Sequence, residues 1–122
     1  MIVLDEQLND NRIISSIGNW YKGKVVVIND LRPNTLIKDD NIPQLLLTVS
    51  QPTFVTINYR DFWQIISAHK QYCVVCFYLS SELTLEISDL LRELFQLKDF
   101  KTKNARMGKV ISVKEIIDWY EN

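Results

Sequence analysis

The sequence contains little cysteine, glycine or histidine, and each shortage argues against a class of protein. Its two cysteines, Cys73 and Cys76, cannot build a disulfide framework and suit a reducing compartment. Its three glycines are too scattered for a glycine-rich phosphate-binding loop, which argues against ATP or NAD chemistry by that route. The one histidine, His69, lacks the motif of a nucleophilic triad. A zinc site on these three side chains is disfavoured, because residues three apart on a strand point to opposite faces.

Long apolar runs are also missing. No segment approaches the roughly eighteen apolar residues of a membrane span, and Asp5 and Glu6 stand where a signal peptide would be basic and then apolar. We therefore expect a cytoplasmic protein with no membrane association. The chain has 122 residues with 14 basic and 15 acidic side chains, which is typical of one soluble domain spanning residues 1–122.

Short apolar runs alternate with amphipathic segments along the chain. The runs end abruptly in polar residues, as strands buried in a parallel sheet do. The pattern predicts an α/β protein, with helices packed around a mostly parallel sheet. Strands are predicted at residues 2–5, 24–28, 53–57, 72–79 and 109–113; helices are predicted at residues 9–21, 39–49, 62–69 and 82–97, with a terminal helix or tail at 114–122.

Acidic and amide side chains follow the predicted strands. Asp5 ends the first strand, Asp39 and Asp40 follow the second, and Asn58 and Asp61 follow the third. Ligands of an open parallel sheet bind beyond the carboxyl ends of its strands, so these side chains are predicted to meet there. Clustered carboxylates suit a hard cation such as Mg²⁺ or Mn²⁺. Such an ion activates water to attack a phosphodiester. The alternative is that these acids are only helix caps and solvated turns.

Three segments of the sequence resemble a known family. They are Leu4-Asp5-Glu6-Gln7-Leu8, Asp39-Asp40-Asn41-Ile42 and Phe54-Val-Thr-Ile-Asn-Tyr-Arg-Asp-Phe62. Together they look like the short PIN-like proteins of prokaryotic toxin–antitoxin type. The resemblance implies a three-layer α/β/α PIN-like sandwich, a divalent-metal-dependent ribonuclease, and a small antitoxin as a partner.

The resemblance also assigns roles to individual residues. The residues that it places in the catalytic site are Asp5, Asp39 or Asp40, Asn58 and Asp61, and the acids among them would hold Mg²⁺ or Mn²⁺. Thr56 would orient a ligand from behind, and Glu6 matches the motif with a less defined role. Arg60 lies within the same element, where it would contact the scissile phosphate or pair with a neighbouring acid.

The chain departs from the family pattern at the third strand. The pattern is Thr-x-Asp-x-Asp-Phe, whereas this chain has Thr56-Ile-Asn58-Tyr-Arg-Asp61-Phe62. An amide replaces one acid, which lowers the negative charge available to a metal, and one residue is inserted before Asp61. The sequence therefore leaves a second hypothesis open: a catalytically degenerate PIN-like module that binds or interacts without cleaving.

Two further segments bear on partners. Residues 98–109 contain five basic side chains and one acid, a composition able to follow an RNA backbone or to form a solvated loop. The apolar residues of segments 82–97 and 114–122 exceed what one thin sandwich needs, which leaves room for a homodimer or antitoxin interface; the ordinary alternative is that both segments cover the sheet.

Overall fold

A six-stranded sheet forms the centre of the protein, whose computed structural model describes all residues from 1 to 122. The strands lie in the order β2-β1-β3-β4-β5-β6. The first five run parallel to one another, and β6 is antiparallel to β5. The strands are β1 (Ile2–Leu4), β2 (Val25–Val27), β3 (Thr53–Thr56), β4 (Cys73–Phe77), β5 (Lys109–Val113) and β6 (Ile117–Glu121).

Short helices connect the strands. They are α1 (Asn11–Gly18), α2 (Ile42–Leu46), α3 (Tyr59–Phe62), α4 (Ile87–Leu94) and α5 (Lys103–Arg106). Five 3₁₀ turns supplement them at Glu6–Leu8, Ile28–Leu31, Asp39–Asn41, Ser81–Glu86 and Lys98–Phe100. None of the helices has the length and apolar character needed to cross a membrane.

Helical segments cover both faces of the sheet, because side chains alternate in direction along each buried strand. On one face, Ile13 and Ile17 of α1 and Leu91 of α4 pack in a core with Val75 of β4. On the other face, Leu46 of α2 and Phe62 of α3 pack in a second core. The predicted α/β class and the mostly parallel sheet are confirmed, and all five predicted strands are present.

The predicted helix at 62–69 is wrong in position. Helix α3 begins at Tyr59 and ends at Phe62, directly after β3. Trp63 has extended backbone and Gln64 a positive φ of 62°, which is incompatible with a continuing α-helix.

The predicted single helix at 82–97 is also wrong. A 3₁₀ segment covers Ser81–Glu86, and Leu83 has non-helical φ and ψ of −108° and 17°. Helix α4 covers only Ile87–Leu94. The exposed Leu83 and Leu85 account for the apolar excess that suggested a longer amphipathic helix.

The predicted terminal helix or tail at 114–122 is a strand. Residues 114–116 form a three-residue loop, and β6 returns antiparallel to β5 with Val113 opposite Ile117. The run of two isoleucines, a tryptophan and a tyrosine is rich in β-branched and aromatic residues, and backbone pairing with β5 decides its structure.

Leu91 and Leu85 provide a matched test of this packing. Leu91 is fully buried in α4, whereas Leu85 is half exposed in the preceding 3₁₀ segment. We predict that Leu91→Ala lowers the free energy of unfolding by about 2–5 kcal/mol, because it leaves a cavity between α4 and the sheet. Leu85→Ala should change it by less than about 0.5 kcal/mol. Urea denaturation measures both values, and equal losses would contradict the position of α4.

Candidate active site at the carboxyl ends of β1 and β3

The sheet has a topological switch point between β1 and β3. From β1 the chain first adds β2 on one side and then returns to add β3 on the other. Crossovers that leave in opposite directions open a crevice beyond the carboxyl ends of the two strands, which is where open α/β sheets bind ligands. Asp5 follows β1, and Thr56 ends β3, so both lie at this crevice.

Asp5 and Thr56 are joined by a buried hydrogen bond. The Thr56 hydroxyl donates to Asp5 Oδ2 at 2.6 Å, and the Glu6 backbone N–H donates to Asp5 Oδ1 at 2.8 Å. Asp5 is 4% exposed and Thr56 fully buried. The Asn58 N–H in turn donates to Thr56 Oγ1 at 2.9 Å. Asp5 therefore has a fixed orientation, set by the residues that the sequence predicted around it.

Asn58 connects two further acids. Its side-chain Nδ2 donates to Asp61 Oδ2 at 2.9 Å and to Asp39 Oδ2 at 3.3 Å. Asp39 begins the 3₁₀ turn before α2, and Asp61 lies in the first turn of α3. Three loops thus bring Asp5, Asp39, Asn58 and Asp61 to one rim. We call these four residues the acid cluster.

The charges of the acid cluster perturb one another. Burial raises the pKa of Asp5, while the hydrogen bonds from Thr56 and Glu6 lower it in part. Asp39 is largely exposed, yet partial desolvation raises its pKa, followed by the charges of Asp5 and Asp61. No Lys or Arg side chain forms an ion pair with these acids. The only ion pair in the protein joins Arg12 to Asp10. The acid cluster therefore carries negative charge that no basic side chain neutralises.

The donor set of the acid cluster suits a hard divalent cation, because it consists of carboxylate and amide oxygens. The structure nevertheless has no group of three His, Cys, Asp or Glu side chains arranged to hold a metal ion. The Asn58 NH₂ group lies between Asp39 and Asp61 and donates to both. Rotating this amide would present its oxygen instead, so the residue types fit a cation.

The remaining predicted residues lie around the acid cluster. Glu6 is exposed, and its charge raises the pKa values of Asp5 and Asp39. Asp40 makes no hydrogen bond to the acid cluster and lines an adjoining groove of about 510 Å³ with Asp39 and Asp61. Of the two adjacent acids, Asp39 is therefore the one that contacts Asn58. Arg60 is exposed and forms no ion pair with a neighbouring acid.

The basic segment 98–109 does not reach the acid cluster. Its residues precede or begin β5 and so lie at the amino ends of the parallel strands, opposite the crevice. Arg106 is 6% exposed, donates from Nη1 to the Phe100 carbonyl at 2.9 Å, and stacks 3.9 Å from the centre of the Phe95 ring. Lys109 Nζ donates to the Asp99 carbonyl at 2.9 Å. Part of segment 98–109, which was predicted to contact RNA, is therefore engaged in contacts within the protein.

The cysteines pack as small buried side chains. Cys73 belongs to one core and Cys76 to the other, since they face opposite sides of β4. Burial raises the pKa of each thiol to about 12, which keeps both protonated and unreactive at neutral pH. Both cysteines therefore act as packing residues in the two cores.

Sequence reasoning missed a second groove on the same edge of the sheet. Tyr59, Tyr78 and Lys114 contribute to a cavity of about 1000 Å³ beyond the carboxyl ends of β4 and β5. The signal was available, because Tyr78 directly follows β4 and Lys114 directly follows β5. Applying the strand-end rule to all five parallel strands, and not only to the acid-bearing ones, would have found it.

No family model, no curated protein and no solved structure matches the chain. The PIN-like resemblance thus rests on the sequence motifs alone.

The desolvation of Asp39 and its repulsion by Asp5 and Asp61 predict a pH-dependent stability. The pKa of Asp39 is raised in the folded protein, so the free energy of unfolding decreases when that carboxyl ionises. We predict that Asp39→Asn is more stable than the wild type at pH 7, by about 0.5 kcal/mol for so exposed a group. The difference should vanish as the pH falls below the ordinary carboxyl value of 3.8, where Asp39 is protonated whether folded or not.

Asp40→Asn is the matched control, because Asp40 is the adjacent exposed acid and makes no hydrogen bond to the acid cluster. Urea midpoints measured between pH 3 and pH 8 give the comparison. A stabilisation as large in Asp40→Asn as in Asp39→Asn would contradict the assignment of Asp39 to the acid cluster.

Proposed function

We propose that the protein is a PIN-like, divalent-metal-dependent endoribonuclease whose site is the acid cluster. The observation that carries the proposal is the convergence of Asp5, Asp39 and Asp61 at the β1/β3 switch point with no basic side chain to neutralise them. Gathering like charges destabilises a fold, so a bound cation is the natural explanation for the arrangement. The sequence resemblance supports the same reaction class.

Each residue has a distinct role in the proposed site. Asp5, Asp39 and Asp61 would hold Mg²⁺ or Mn²⁺, and Thr56 keeps the Asp5 carboxylate in one orientation through their 2.6 Å hydrogen bond. Asn58 sets the separation of Asp39 and Asp61 and has an amide oxygen to offer in place of the family's acid. When bound, the ion supplies an activated water and stabilises charge on the phosphodiester.

The exposed Arg60 and Glu6 flank the proposed site. Arg60 is free of any ion pair, so its guanidinium is available to a substrate phosphate. The proposal extends to a toxin paired with a small antitoxin, which rests on the resemblance alone. A cytoplasmic location is a separate part of the proposal and rests on the cysteine usage, which suits a reducing compartment.

A second candidate function has its own supporting observation. The Asn58 amide donates hydrogen bonds to both Asp39 and Asp61, and so partly relieves their repulsion. A degenerate PIN-like module that binds or interacts without cleaving would retain such an arrangement. The two candidates differ in whether a divalent ion displaces the Asn58 NH₂ group from between the acids.

RNA cleavage distinguishes the two candidates. We predict that the wild type cleaves a mixed single-stranded RNA with Mn²⁺ and not with EDTA. Asp5→Asn should lower the rate at least about 100-fold, since it removes a charged ligand of the ion that activates the attacking water. The control is Asp99→Asn, which changes an exposed aspartate at the opposite edge of the sheet and should keep the wild-type rate. Gel analysis of end-labelled RNA measures the rates.

Thermal unfolding with and without Mn²⁺ provides an independent measurement. The wild type should unfold at a higher temperature with Mn²⁺, and Asn58→Asp should show a larger increase because it adds a charge to the acid cluster. Cleavage that appears only in Asn58→Asp would support the degenerate module. If no variant cleaves RNA and none shows a Mn²⁺-dependent shift in unfolding temperature, the nuclease proposal is contradicted.

A further inference from the structure

A large groove adjoins the acid cluster along the same edge of the sheet. It has a volume of about 1000 Å³ and lies beyond the carboxyl ends of β4 and β5. Tyr59 lines it, and the preceding residue, Asn58, belongs to the acid cluster. A polymer bound across the acid cluster would therefore extend into this groove. We call it the aromatic groove.

Four aromatic residues line the aromatic groove: Tyr59, Trp63, Phe77 and Tyr78. The rings of Tyr59 and Tyr78 meet edge to face with centroids 5.3 Å apart, and those of Tyr59 and Trp63 lie 6.0 Å apart. Tyr78 is 66% exposed, although it follows the central strand β4. A large ring left open to solvent beside fixed neighbours offers a flat surface for stacking.

Lys114 covers this aromatic surface. Its Nζ lies 4.5 Å from the Tyr78 ring centroid and 4.7 Å from that of Tyr59. It forms no ion pair, even though Glu115 and Asp118 line the same groove. An exposed ammonium group on a flexible side chain can move from a ring face to a nearby phosphate at little cost.

Hydrogen-bonding groups complete the aromatic groove. The hydroxyls of Tyr59 and Ser112 lie 2.7 Å apart, and the carboxylates of Glu86, Glu115 and Asp118 are further lining groups. Carboxylates accept hydrogen bonds and repel anionic ligands. The groove therefore suits a planar aromatic ligand with N–H donors better than a bare phosphate. An unpaired nucleobase has both properties.

We propose that the aromatic groove binds an unpaired nucleobase of the RNA strand whose phosphate lies at the acid cluster. The base stacks on Tyr78, its N–H groups face the acceptors of the groove, and Lys114 contacts the adjoining phosphate. This assignment rests on the proposed function, because it takes the substrate of the acid cluster to be RNA. It makes the protein selective for single strands, since the base of a duplex is not free to stack.

Binding measured without turnover tests the assignment apart from cleavage. Fluorescence anisotropy of a labelled single-stranded octaribonucleotide is recorded at low salt with Ca²⁺ in place of Mn²⁺, so that a cation offsets the charge of the acid cluster, and a gel verifies that the RNA stays intact. Tyr78→Ala should weaken binding about tenfold, the scale of losing one stacked base, whereas Tyr78→Phe should keep wild-type affinity because the ring remains. Lys114→Gln should weaken binding and lower the slope of log K against log salt by about 0.7, the value for one phosphate contact on a single strand.

The matched control is Trp119→Ala. Trp119 is also an exposed aromatic residue with a lysine nearby, since Lys109 Nζ lies 5.6 Å from its ring centroid, but it does not line the aromatic groove. Wild-type affinity in this variant would support the assignment. The same octanucleotide annealed to its complement should bind at least about tenfold more weakly, because its bases are paired.

Three outcomes would overturn the assignment. They are no measurable binding by the wild type, equal loss in Tyr78→Ala and Trp119→Ala, and equal affinity for single strand and duplex. A groove that serves a protein partner instead would give the first of these. Loss of binding in Tyr78→Ala alone, in a wild type that lacks Mn²⁺-dependent cleavage, would support the base-binding groove and contradict the nuclease, so the two proposals fail separately.

Discussion

The rest of the candidate site depends on one buried carboxylate, that of Asp5 at the end of β1. Asp5 is 4% exposed, and burial alone would favour its neutral form. Two hydrogen bonds, from the Thr56 hydroxyl and the Glu6 N–H, offset part of this effect, and the pKa of Asp5 remains raised by burial. The Glu6 donor is local, but the Thr56 donor depends on the sheet, because Thr56 is opposite Asp5 only when β1 pairs with β3 in register, with Leu4 beside Val55. The site thus exists only in the folded β1/β3 pair.

The acid cluster also shows how stability and function oppose each other here. Partial desolvation raises the pKa of Asp39, and the charges of Asp5 and Asp61 raise it further, because the ionised carboxylates repel one another. A protein selected only for stability would place a lysine or arginine among them, and the chain has 14 such residues to use. Arg60 flanks the acid cluster without forming an ion pair, and other basic side chains are engaged elsewhere: Arg106 and Lys109 at the opposite edge and Lys114 in the aromatic groove. The acid cluster therefore lacks an ion-pair partner because of how the fold places the basic side chains, and not because the chain has few of them.

Sequence patterns were sufficient to predict the five parallel strands and to predict which acids converge. They were insufficient where tertiary contacts determine the secondary structure. Each predicted strand is a short β-branched or aromatic run that ends in polar residues, a signal carried by local sequence alone. Segment 114–122 contains the same residue types, yet its pairing with β5 depends on a three-residue loop that no local pattern specifies. The break at Leu83 is likewise invisible in a leucine-rich amphipathic run. Whether Asp39 or Asp40 contacts Asn58 depends on the turn before α2, which the sequence left open.

The residue inserted between Asn58 and Asp61 explains how one short segment serves two grooves. Residues 59–62 form a single helical turn, in which side chains three positions apart lie on the same side and intervening ones point away. Asp61 is three residues after Asn58, so the two meet at 2.9 Å, while Tyr59 between them faces the aromatic groove. With one residue fewer, the second acid would follow Asn58 by two positions and leave this face of the turn. The insertion that separates the chain from the PIN-like pattern is thus compatible with a closed acid cluster, and it places an aromatic ring directly beside it.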